Sequence, residues 1–202
     1  MNANVKKSVS IVAILSFVAG AVLIVAGGVV WGMITSQLKA EEITISADAD
    51  MLAGKKVAGP FTAYAQAEVI NKHALKASDG LTYAQLGAKV TEFKDAAKAA
   101  DTTASEEIAA AVDKMDIAKL NELAAAPEVI SNTEQAAAAQ GQRNTVMNGS
   151  FLRASLFSSV IAYGVSALVM GLGVMFLAIG FAFQRLAAAP VAPVAATRAD
   201  TV

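Results

Sequence analysis

Cysteine is absent from this chain. That excludes disulfides, thiolate metal sites, iron–sulfur clusters, covalently attached haem and lipidation on a thiol. It leaves the compartment open, because a cysteine-free chain suits either side of a membrane. Histidine occurs once, at His73. A facial-triad iron site needs two histidines and a carboxylate, and a catalytic zinc site usually needs two or three His or Cys ligands. One histidine supplies neither within a single chain, so no metal or cofactor is expected. His73 reads as a partly exposed residue on a helix surface; its functional alternative is a pH-sensitive contact or a ligand shared with another chain.

Charge is also scarce. Only 16% of the 202 residues are charged, against about 25% in a soluble domain. The net charge of -1 gives no electrostatic footprint for nucleic acid. The paired acids Glu41–Glu42 and Glu106–Glu107 are adjacent, and neighbours on a helix point apart, so they would not flank one bond. Asp48 and Asp50 would suit calcium, but the rest of an EF-hand loop is missing. Gly171 and Gly173 lie inside an apolar run and not after a strand, so they form no phosphate loop. Asn148-Gly149-Ser150 fits a glycosylation acceptor, a short pattern frequent by chance. No enzyme is expected from these residues.

Hydrophobicity is what the chain has in plenty, at 55% of residues. Lys7 and Lys39 bracket 31 positions without a charge, and Arg153 and Arg185 bracket another 31. Val9–Ile34 and Ala154–Phe183 each hold fourteen Val, Ile, Leu or Phe. About 20 apolar residues suffice to cross the hydrocarbon core, and fourteen such side chains contribute on the order of -6 kcal/mol toward insertion. The first run follows Lys6–Lys7 as a signal peptide would. Its apolar stretch is too long for one and no A-x-A site closes it, so it reads as an uncleaved signal-anchor. No ionisable residue lies deep in either run, which argues against ion paths and proton relays.

The expected fold is therefore all-α: a transmembrane hairpin with a mainly helical extracytoplasmic domain between its spans. The segments are a cytoplasmic N-terminus (1–8), a first span (9–34), an outer domain (35–153), a second span (154–183) and a disordered cytoplasmic tail (184–202). Lys6, Lys7, Arg185 and Arg198 outnumber Lys39, Arg143 and Arg153 by one only, and the long connecting domain can translocate largely regardless of its charges, so both termini are expected on the cytoplasmic side of the plasma membrane. Trp31 then falls near the outer headgroups.

Small residues mark where the helices would meet, because close approach drives helix association in lipid. Ala13, Gly20 and Gly27 recur every seven positions, as do Ser166, Gly173 and Gly180. Gly164 and Gly171 add a neighbouring pair, and Gly28 and Gly32 form a GxxxG. Sevenfold spacing keeps each set on one stripe, facing either the other span or a partner helix.

Between the runs, Ile43-Thr44-Ile45 alternates as a short strand or extended linker, and the stretch through Gly59 and Pro60 reads as loop. Gly59–Leu75 turns helical and stops at Gly80. Thr82 and Gln85 form a capping box that starts a helix running to about Ala100. Ser105–Ala126 gives one or two more helices, broken by Pro127. Ser131 and Glu134 form a second capping box, with Gly141 and Gly149 making continuity into the second span uncertain. Residues 84–140 are rich in alanine, which buries little area. A thin helical hairpin, or ordering against a partner, is expected there. Phe61, Tyr64, Tyr83 and Phe93 are the candidates for a small core or for a contact surface.

Three stretches carry a family resemblance: VLIVAGGVVWGMITSQLKAEEITIS (Val22–Ser46), GPFTAYAQAEVINKHAL (Gly59–Leu75) and NGSFLRASLFSSVIAYGVSALVMGLGV (Asn148–Val174). They resemble a group of small actinobacterial membrane proteins with two spans, often labelled as aromatic ring-opening dioxygenases. The iron ligands that label requires are absent here. The resemblance covers both ends and leaves about Ala88 to Gln142 as an Ala-rich insertion. In size and layout the chain is also similar to a small accessory subunit of the actinobacterial respiratory supercomplex, which joins cytochrome bcc to cytochrome c oxidase. The resemblance implies a non-catalytic role, membrane lipids and integral membrane proteins as partners, and an outward-facing domain. The alternative is an envelope module that holds lipid or a cell-wall component through that domain.

Overall fold

The computed structural model describes residues 3–188. Six helices run along them: α1 (Ala3–Ala40), α2 (Pro60–Ala77), α3 (Tyr83–Ala100), α4 (Glu106–Lys114), α5 (Ile117–Glu122) and α6 (Pro127–Ala188). No strand occurs among the described residues, only one isolated bridge between Thr44 and Lys56. The all-helical expectation holds. The chain divides into two compact units, Met1–Glu41 with Ile161–Val202, and Glu42–Val160.

The first unit contains α1 and the last part of α6. Its residues have no reason to leave the helix: charge, proline and turn chemistry are missing from both runs. The helices extend beyond the expected spans, from 9–34 to Ala3–Ala40 and from 154–183 to Pro127–Ala188. Both are long and apolar enough to cross a membrane, with mean hydropathies of 2.8 and 2.3. The core helix of a soluble protein is mostly buried, whereas only 17% of each apolar window is buried here. Leu15, Val22, Val25, Leu168 and Val174 stand exposed.

The second unit opens on a tight hairpin. Val57 N–H donates to Ile43 O at 2.9 Å and Ile45 N–H to Lys55 O at 3.0 Å. The alternating segment thus closes on itself with a single bridge and forms no strand. Thr62 Oγ1 accepts from Ala58 N and Gly59 N, and Pro60 begins α2; proline suits a first turn because its missing N–H has no partner there anyway. The helix ends at Ser78, with Gly80 at φ +78° just beyond.

Further along, Thr82 caps α3, accepting from Gln85 N while Gln85 Oε1 accepts from Thr82 N. The 105–126 stretch resolves into α4 and α5, because Met115 turns left-handed at φ 54° and Asp116 caps anew. A core of Ile108, Val112, Leu120 and Val129 with Ala97, Ala111 and Ala125 joins α3, α4, α5 and the start of α6. At α6 one expectation fails and one open point is decided. Pro127 opens this helix as well as ending what precedes it, so the Ser131–Glu134 box lies inside a helix and caps nothing. Gly141 and Gly149 do not interrupt it. The expected tail from 184 is helical to Ala188, and its remainder, 189–202, lies outside the described residues.

Candidate functional site

The contacts between α1 and α6 follow one arithmetic. A Cβ built on Gly20 would lie 2.7 Å from Gly173 O, one on Gly27 2.9 Å from Ser166 O, and one on Gly180 3.0 Å from Ala13 O. As the number rises on α1 it falls equally on α6, so the two helices are antiparallel and in a fixed register. Ala13, Gly20, Gly27, Ser166, Gly173 and Gly180 lie along this seam, where a side chain larger than hydrogen at the glycines would strike backbone. Gly28 and Gly32 are different. They are exposed, and a Cβ on either would meet nothing within 4 Å. The same is true of Gly164 and Gly171.

The seam also carries a polar contact that sequence reading missed. Tyr163 is 1% exposed, and its hydroxyl lies 2.7 Å from Thr35 Oγ1. Thr35 Oγ1 gives its single hydrogen to Trp31 O at 2.9 Å, so Tyr163 is the donor in the pair. The Trp31 ring packs edge-on against Tyr163 with centroids 4.7 Å apart. The signal was present: Gly27, Trp31 and Ile34, and Tyr163, Ser166 and Gly173, continue the three- and four-residue spacing of each stripe.

In the second unit, α2 carries a clamp. His73 Nε2 lies 2.8 Å from Asp48 Oδ2, Lys72 Nζ donates to Asp48 O at 3.2 Å, and Lys72 pairs with Asp50 at 3.5 Å. The hydrogen bond from His73 holds the Asp48 carboxyl below its ordinary value of 3.8. Asp48 and Asp50, considered for calcium, are thus engaged by α2. No group of three or more His, Asp or Glu able to hold a metal occurs among the described residues.

The four aromatics expected as a small core or a contact surface differ in exposure. Phe61 is 79% exposed, Tyr64 and Tyr83 are also exposed, and Phe93 is half-buried. Phe93 falls on the α3 stripe of the buried Leu86, Val90 and Ala97, whereas Phe61, Tyr64 and Tyr83 stand exposed. Tyr64 stacks edge-on with Phe157 at 5.9 Å, and Arg143 sits 4.1 Å over the Tyr83 ring. An open groove of about 470 Å³ runs between α2 and the 50–51 loop, walled by Asp50, Met51, Tyr64, Glu68, Val69 and Lys72 among others. Phe61, Tyr83 and Phe93 are not among its walls.

These features describe an all-helical chain with a closely packed pair of apolar helices and a small helical unit. Compared with known proteins, it matches no family model, no curated protein and no solved structure.

Proposed function

We propose that this chain is a non-catalytic accessory subunit of a membrane complex, with both termini in the cytoplasm and residues 35–153 outside the plasma membrane. One observation carries the reading. The glycine seam is consumed in pairing α1 with α6, while their other faces remain apolar, exposed and without ionisable groups between positions 8 and 38 or 154 and 184. A surface of that kind packs against lipid and other membrane helices. The outward GxxxG of Gly28 and Gly32 offers one such helix a close approach. His73, the one imidazole, is tied to a carboxylate at the surface.

The specific partner proposed is the actinobacterial bcc–oxidase supercomplex. It rests on the resemblance at Val22–Ser46, Gly59–Leu75 and Asn148–Val174. Affinity capture of the tagged chain from gently solubilised membranes tests it, and recovery without bcc or oxidase subunits overturns that assignment. A second reading, an envelope module holding lipid or a cell-wall component, is favoured by the groove beside Tyr64. Lipid bound stoichiometrically to the purified chain, with no protein partner, would favour it.

A further inference from the structure

Three contacts set the register of α2 against α6 inside the 42–160 unit. A Cβ on Gly149 would lie 2.9 Å from Ala74 Cβ, Arg153 pairs with Glu68 at 3.3 Å, and Phe157 meets the Tyr64 ring. The helices are antiparallel: as the number falls along α2 from Ala74 to Glu68 to Tyr64, it rises along α6 from Gly149 to Arg153 to Phe157. Arg153 is the last charge before the uncharged run that begins at Ala154, so Tyr64 already lies level with that run. Continuing the Tyr64–Phe157 register by three residues brings Phe61 level with Val160. Val160 is seven residues past Arg153, about 10 Å along the axis at 1.5 Å per residue.

At that level α2 presents a phenylalanine that is 79% exposed. Pro60 and Thr62 beside it are half-buried, and Ala63 and Ala65 are buried, so the helix is packed down on one side while the Phe61 ring, and to a lesser degree Tyr64, stand free. Such a side chain in water costs free energy that α2 could avoid by turning a polar residue outward. In acyl chains it is favourable, and an interfacial helix uses large apolar residues in this way.

We infer that the first turn of α2 is an interfacial membrane anchor, with the helix on the outer side and only the Phe61 side chain dipping among lipid acyl chains beside the start of the second span. The inference rests on reading 154–183 as a span. The absence of cysteine makes the test clean. Phe61→Cys, Leu168→Cys and Glu92→Cys are each introduced singly, spin-labelled, and reconstituted in phosphatidylcholine–phosphatidylglycerol vesicles. Collision rates with oxygen, which concentrates in lipid, are compared with those for a water-soluble nickel chelate. The label at 61 should resemble that at 168, with an oxygen-to-nickel ratio severalfold above that at 92. A label at 61 resembling 92 while 168 stays in lipid overturns the anchor alone. Labels at both 61 and 168 in water overturn the spanning reading as well. A label at 61 shielded from both reagents means that protein, such as a second copy, covers it, and this also overturns the anchor. Because Phe61 is exposed, its replacement leaves the packing of the unit intact.

Discussion

Where Gly20 meets Gly173, only hydrogen fits between the backbones. Gly20→Leu must therefore spread the pair or distort it, at a cost of about 1–3 kcal/mol typical of overpacking. Gly28→Leu, on an open face, should stay within about 0.5 kcal/mol. Reversible unfolding in mixed micelles compares the two. If both variants lose equally, the register is wrong. Tyr163→Phe removes the hydrogen bond to Thr35 and should cost about 0.6 kcal/mol in the same assay, the average for interhelical bonds in membranes.

Asp48 supplies the pH-dependent contact at this scale. Its folded pKa is depressed by the hydrogen bond from His73, so the contact stabilises fully above the ordinary carboxylate value of 3.8. It is lost as pH falls through the lowered folded value. Carboxyl-carbon NMR of Asp48 should show a midpoint below 3.8, and His73→Ala should move it upward. An unmoved midpoint would exclude the clamp. Neither partner advertises the other in sequence, because 25 positions and a turn separate them.

For whole elements, the two capping boxes make the sharper comparison. Thr82–Gln85 and Ser131–Glu134 share a pattern, yet only the first begins a helix. Thr82→Ala should destabilise the 42–160 unit by about 0.5–2 kcal/mol. Ser131→Ala, exposed and within α6, should change it by less than about 0.5 kcal/mol. Denaturant unfolding followed by tryptophan-independent far-UV signal decides between them. The second box misleads because Pro127 offers an earlier start that satisfies the first turn without its own N–H. Burial of Val129 in the small core then fixes that start. Gly149, which sequence reading took as a weak point, is required: a Cβ there would meet Ala74.

For the molecule as a whole, two helices long and apolar enough to cross a membrane make integration into a bilayer the property to test. The chain should remain with membranes through alkaline carbonate extraction. Leu168→Arg places a charge at the middle of the second run, where insertion costs about 2.5–3.5 kcal/mol, and should lower the carbonate-resistant fraction. A wild-type chain released into the supernatant would remove the spanning reading altogether.

Sequence alone determined the two long apolar helices, their small-residue stripes and the starts of α2, α3 and α4, because each follows from composition or from spacing along one chain. The tertiary structure decided which stripe is used. Gly20 and Gly27 are consumed at the seam while Gly28 and Gly32 face outward, a choice made by the rotation of one helix against another. It likewise decided that Phe61 stands free and Tyr163 is buried. A helical pattern says which residues share a face; only the packed neighbour determines whether that face is covered.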